Sequence, residues 1–263
     1  MDVSIEANAC ILNQFTNVGI IRHAFSRVTS CSSAIVRTTF KREEVSMKIL
    51  TLVSIGLVVG LTGCSLISTA KVKGSGIGKT EKRSVTSFDS LDVGCPGSIQ
   101  VLSQGQESLE ISGDDNIIPL ITTEVRNNTL YIRSSETYAP KDKLQIVIST
   151  PDVKRFVFAG AGEANLANVR NDRMEIVMSG AGSVTASGET KEADITLSGA
   201  GSVDAKNLHA VNARVNSTGV GTVDIYATGQ LDASAVGVGE VNYYGSPKVV
   251  NRKAVGIGSI NER

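Results

Sequence analysis

A six-residue phrase returns six times in the second half of the chain and constrains the fold more than any other feature. It reads Gly160-Ala161-Gly162-Glu163-Ala164-Asn165, Gly180-Ala181-Gly182-Ser183-Val184-Thr185, Gly199-Ala200-Gly201-Ser202-Val203-Asp204, Gly219-Val220-Gly221-Thr222-Val223-Asp224, Gly237-Val238-Gly239-Glu240-Val241-Asn242 and Gly256-Ile257-Gly258-Ser259-Ile260-Asn261. Successive first glycines lie 20, 19, 20, 18 and 19 residues apart, and so regular a period marks a repeat architecture. Within the copies apolar residues alternate with polar ones: Val203 and Ala205 flank Asp204, Val223 and Ile225 flank Asp224, and Val241 and Tyr243 flank Asn242. Upstream of the glycines the alternation recurs in Phe156 and Phe158, Ile176 and Met178, and Ile195 and Leu197. This is the strand period. Each unit therefore holds at least two short strands broken at Gly-x-Gly, where glycine turns a corner without steric penalty.

One such unit cannot bury its own apolar side. Stacked units can, each coil hydrogen-bonding to the next at about 4.8 Å with like residues in columns. An α-solenoid would need long helical runs, which the glycines and β-branched residues exclude. The expected fold is all-β: a single-stranded parallel β-helix, right-handed by the crossover rule, with about 19-residue coils and a less regular β N-terminal part.

The 263 residues, 41% hydrophobic, suffice for one sizeable core, and 4% aromatics without Trp suit a narrow lumen filled by Val, Ile, Ala and Leu. Net charge is zero overall, but from Thr86 onward 15 basic residues face 21 acidic ones, which argues against a nucleic-acid partner. His209 is the sole histidine after the leader, expected in a loop or on the surface. Triads and histidine clusters thus have almost nothing to work with. The nonapeptide calcium repeat has half this period and a regular Asp that most copies here lack. No catalytic residue, metal or cofactor is expected.

The start of the chain carries an address. Met47-Lys48, the apolar run Ile49 to Leu61 and the closing Leu61-Thr62-Gly63-Cys64 have the layout of a secretory signal peptide. The ending resembles the bacterial lipobox, whose cysteine is lipidated, so residues 47–64 are read as a lipoprotein signal peptide with Cys64 as the lipid attachment site. Residues 1–46 show no sustained period and are read as an untranslated or disordered upstream leader, an organellar leader being the alternative. Residues 65–85, with Lys71, Lys73, Lys79, Lys82 and Arg83 against Glu81 alone, are read as a flexible basic tether, and 86–263 as the β-helix domain. With Cys10 and Cys31 upstream and Cys64 lipidated, only Cys95 remains, so no internal disulfide is available and a buried, idle thiol is expected.

Before the strict repeat, strands are expected at Ser98 to Leu102, Ser108 to Ser112, Thr129 to Ser134 and Leu144 to Ser149, with a tight turn at Asn127-Asn128 and one helical turn around Asp114 to Leu120. Gly94-Cys95-Pro96-Gly97-Ser98-Ile99-Gln100 reads as a degraded copy of the phrase. The lipobox, the Gly-Ser-Gly segment at Gly74, the stretch Phe88-Asp89-Ser90-Leu91-Asp92-Val93, the Asn-Asn-Thr-Leu turn and the serial Gly-x-Gly-Ser-Val phrases together resemble the bacterial auto-transporter adhesin head GIN domain family, from about Ser84 to Ile260. The resemblance implies a β-helix and an exported, often lipid-anchored protein, and brings no catalytic residues with it.

The candidate face comes from the outward columns. Five positions after the first glycine stand Asn165, Thr185, Asp204, Asp224, Asn242 and Asn261; seven after stand Ala167, Ser187, Lys206, Tyr226, Tyr244 and Arg263. Asp204, Lys206, Asp224, Tyr226, Asn242 and Tyr244 thus form a candidate ligand-binding face. Three function classes follow. The leading one is a non-catalytic, lipid-anchored protein of the cell envelope, expected at the outer membrane from Ser65 after the lipid site, presenting this face to a glycan, an envelope protein or a neighbouring copy in a homo-oligomer. The second is a carbohydrate-active enzyme using Asp204 and Asp224 as paired carboxylates; the third is a purely structural envelope module in which the columns are solvated strand pairs.

Overall fold

The computed structural model describes residues 71–263; the proposed leader, the signal peptide, Cys64 and residues 65–70 lie outside the described residues. Nine strands form the N-terminal part: β1 (Val72–Lys73), β2 (Gly78–Arg83), β3 (Ser90–Val93), β4 (Gly97–Ser103), β5 (Ser108–Asp114), β6 (Ile121–Arg126), β7 (Thr129–Ser134), β8 (Tyr138–Ala139) and β9 (Gln145–Thr150). The repeat supplies β10 (Arg155–Phe158), β11 (Ala161–Met178), β12 (Ala181–Leu197), β13 (Ala200–Ser217), β14 (Val220–Ala227), β15 (Gln230–Tyr244), β16 (Val249–Gly256) and β17 (Ser259–Glu262). From β10 to β17 every pairing is parallel. The result is a parallel β-solenoid of about five turns with coils of about 20 residues.

Alternation decides what fills the lumen. Val203, Val223 and Val241 are register partners on consecutive coils and all are fully buried. Phe156, Ile176, Ile195 and Val215 form a second buried column on the other side of the coil. The glycines answer two demands. Gly182 has φ +143°, and a Cβ on Gly180 would collide with the carbonyl oxygen of Gly160 one coil below. The corner therefore needs both backbone freedom and bare backbone against bare backbone. Strands do not break across the whole Gly-x-Gly phrase, as the sequence suggested. The breaks fall on pairs such as Ser179-Gly180 and Ser198-Gly199, and the strand resumes at the next residue.

The last four residues of the degraded copy join the column: Gly97, Ser98, Ile99 and Gln100 pair with Gly162, Glu163, Ala164 and Asn165. Antiparallel strands then close the N-terminal end, β6 on β7 along one side and β9, β5 and β2 in succession along the other. Asn127 and Asn128, both at positive φ (49° and 58°), make the β6–β7 turn, as expected of asparagine there. The helical turn is a short 3-10 segment, Ile118–Leu120. Cys95 is buried and free, and its burial pushes the thiol up to about 11.

The tether needs correction. Within the described residues, 72–73 and 78–83 are strands: β1 pairs with β8 and β2 with β5. A buried carboxylate fastens this segment. Asp114 accepts hydrogen bonds from the backbone N–H of Gly76 at 2.5 Å and from those of Lys141 and Asp142 at 2.9 and 3.1 Å. Desolvation alone would raise its pKa, but these donors outweigh it and hold the carboxyl below the usual value.

At the opposite end, β16 and β17 form the last coil. Two of its lumen-side positions are charged. Arg252, register partner of the buried Ala233, lies 5.3 Å from the centre of the Tyr243 ring, and Glu262, register partner of Tyr243, accepts that phenol's hydrogen bond at 3.1 Å. Inward-facing charges of this kind keep an exposed strand edge from stacking on another.

Candidate functional site

The first outward column lies in register along its whole length. Thr185, Asp204, Asp224, Asn242 and Asn261 are successive partners from β12 to β17. Neighbouring coils thereby hold Asp204 and Asp224 at the spacing of adjacent strands, roughly 4.8 Å. Each carboxylate has its own partner. Lys206 Nζ lies 2.9 Å from Asp204 Oδ2, and Asn242 Nδ2 donates to Asp224 Oδ1 at 3.0 Å. The hydrogen bond and charge of Asp204, joined by the charge of Asp224, hold the Lys206 ammonium above its ordinary pKa. The two acids and the lysine are thus one electrostatic cluster.

Asn242 plays a different part from the one its column suggested. It is buried, at 7% exposure, because Arg263 covers it, donating from Nε to Asn242 Oδ1 at 3.1 Å. Arg263 in turn pairs with Glu240 at 2.8 Å, and Asn261 donates to the same carboxylate at 2.7 Å. Asn242 is therefore a strut that orients Asp224, while Asp204, Asp224 and Lys206 reach the surface.

The second column departs from strict periodicity. Tyr226 and Tyr244 are register partners, as expected, but Tyr226 is not opposite Lys206. Its partner on β13 is His209, because Ala205 pairs with Ile225 and the next pair is His209 with Tyr226. Lys206, Asn207 and Leu208 bulge between them. The two rings stack with centroids 4.4 Å apart and planes 17° from parallel. Sequence reading left His209 as an isolated surface histidine; it is exposed, yet built into the aromatic row. The trace of this in the sequence is the pair of spacings 20 and 18 on either side of Gly219, which shows that one coil carries extra residues.

Beside this row the coils enclose a groove of about 570 Å³ whose lining includes Asn168, Arg170, Glu189, Asn207 and His209. Of these residues only His209 stood out in the sequence, as a lone histidine and not as part of a groove. Among the described residues no group of three or more His, Cys, Asp or Glu is placed to hold a metal ion, and no helix is long and apolar enough to cross a membrane.

Comparison with known proteins agrees with the fold. Residues 87–247 match the family described as "Putative auto-transporter adhesin, head GIN domain". Among solved structures, a protein from Bacteroides fragilis described as a "putative adhesin" is 28% identical, with TM-score 0.63 over 73% of this chain and all of the other. A protein from Parabacteroides distasonis described as a "putative lipid binding protein" is 24% identical with TM-score 0.46, over 73% of this chain and 99% of its own. A "putative adhesin" from Parabacteroides merdae is 20% identical with TM-score 0.41, over 73% and 98%. No curated protein matches the chain. The family match spans more than half of the sequence, including the glycine phrases from Gly160 to Gly237, and the chain belongs to the auto-transporter adhesin head GIN domain family.

Proposed function

We infer that the chain is a non-catalytic, lipid-anchored adhesion protein of the cell envelope, which presents the outer face of its β-helix to a glycan or an envelope protein. One observation carries this reading: acids, a lysine and aromatic rings from three consecutive coils converge on one rigid outer face. The rings supply area for stacking, and the acids and lysine orient a ligand's polar groups. The enzymatic alternative requires one of Asp204 and Asp224 to keep a proton and the other to attack. Their partners speak against that division, since each carboxylate is already engaged within the protein, Asp204 by the Lys206 ammonium at 2.9 Å and Asp224 by the Asn242 amide N–H at 3.0 Å.

Residues 47–64 would deliver the chain for export, and Cys64 would carry the lipid that holds it at the outer membrane. The test has two arms. Palmitate labelling of the full chain should vanish in Cys64→Ser; labelling that persists removes the anchor. Retention on isolated cell envelopes should be lost when Tyr226→Ala and Tyr244→Ala are combined, with an unchanged circular dichroism spectrum. A double variant retained like the wild type removes the face and leaves a structural module.

A further inference from the structure

The bulge at Lys206, Asn207 and Leu208 creates a row that the sequence period hides. Beyond it, one outward column reads Arg170, Glu189, His209, Tyr226 and Tyr244 on five successive coils. Its aromatic half is the His209–Tyr226 stack continued by Tyr244. Its polar half faces the 570 Å³ groove, where Arg170, Glu189, Asn207 and His209 converge. Among the described residues neither Arg170 nor Glu189 is engaged in an ion pair, whereas Arg155–Glu175 and Arg173–Asp194 on the other sheet are closed at 3.1 and 3.7 Å. The groove therefore offers a guanidinium donor, a carboxylate acceptor and an amide that does both, next to flat rings.

We propose that this groove and its aromatic end form a binding site for a neutral glycan chain lying along the helix axis. A pyranose ring has an apolar C–H face, which stacks on the face of His209 turned away from Tyr226, and an edge of hydroxyls that both donate and accept, which Glu189, Arg170 and Asn207 satisfy. Other occupants fit less well. A polyanion would meet Glu189 here and Asp204 and Asp224 alongside. An added peptide strand needs free backbone N–H and C=O groups, yet β12, β13 and β14 are paired on both edges. The assignment rests on the adhesive reading of the outer face and names its ligand class.

Titration calorimetry on the full chain tests it, with chitohexaose, cellohexaose and mannohexaose as neutral probes and an alginate hexasaccharide as the anionic control. At least one neutral hexasaccharide should bind. His209→Ala and Glu189→Gln should each weaken it about tenfold or more, the equivalent of ~1.4 kcal/mol, while Thr196→Ala on the opposite sheet leaves it unchanged. Binding of the anionic probe alone overturns the proposal, as does neutral-glycan binding that ignores His209→Ala and Glu189→Gln. If no neutral hexasaccharide binds but envelope retention still depends on Tyr226 and Tyr244, the glycan assignment fails and the adhesive face stands.

Discussion

Replacing Val223 with aspartate tests the register from which every statement about the face descends. Val223 has no exposed surface and lies between Val203 and Val241 in the lumen. Val223→Ala removes only apolar contact and should cost about 2 kcal/mol. Val223→Asp loses the same contact and also leaves a carboxylate without a partner, adding about 3–5 kcal/mol. The total of roughly 5–7 kcal/mol rivals the whole stability of an ordinary domain, about 5–15 kcal/mol. One residue along, Asp224→Ala gives up the hydrogen bond from Asn242, and water can reach the vacated position, so about 1–2 kcal/mol should be lost. Urea unfolding of the full chain followed by far-UV circular dichroism reads all three, with the m value reporting whether the transition stays cooperative. Equal losses in Val223→Asp and Asp224→Ala would refute the inward and outward assignments. Equal losses in Val223→Ala and Val223→Asp would refute the claim that the lumen is closed to charge.

Three further outcomes follow from the ends of the solenoid and its thiol. Arg252→Leu with Glu262→Leu removes the charges that sit at lumen-side positions of the last coil, so sedimentation should show concentration-dependent association absent from the wild type; a strictly unchanged mass would mean that other features guard this edge. Asp114 has a lowered native pKa, so its contribution to stability is full above the unfolded-state value of about 4 and is lost as pH falls through the lower native value. Thermal unfolding between pH 6 and pH 2 should therefore lose less stability in Asp114→Asn than in the wild type, and parallel curves would contradict this. Cys95, buried with its pKa raised to about 11, should resist a thiol reagent at pH 8 until the protein is unfolded in urea, and rapid labelling of the native chain would contradict its placement.

Where the sequence was informative, one physical rule was at work: alternation assigns each residue to lumen or solvent, and the glycine phrase sets the coil length. The rule placed Val203, Val223 and Val241 in one column, put Asp224 outside them, and recovered Gly97 to Gln100 as a worn copy. It failed where residues are inserted, because a bulge changes register without changing composition. Counting seven from each glycine set Lys206 opposite Tyr226, whereas three extra residues bring His209 there. It also failed for β2. That strand is exposed or half-buried along its length, so no alternation marks it, and its lysines resemble those of a solvated linker. What holds it is backbone pairing to β5 and the Asp114 carboxylate, neither of which has a local sequence signature. Asn242 escaped for a related reason: its column is outward, but Arg263, a coil away, covers it.

The most direct measurement of the central claim is photocrosslinking in intact cells. The benzophenone amino acid p-benzoylphenylalanine would be placed at Tyr244, in the outward aromatic row, and separately at Ser234, an outward position on the opposite sheet that pairs with Asn216 and Lys253. If the face is adhesive, irradiation yields a slower-migrating adduct from position 244, lost on adding Asp224→Asn with Tyr226→Ala, and none from position 234. Adducts from position 234 alone, or from neither position, would contradict it.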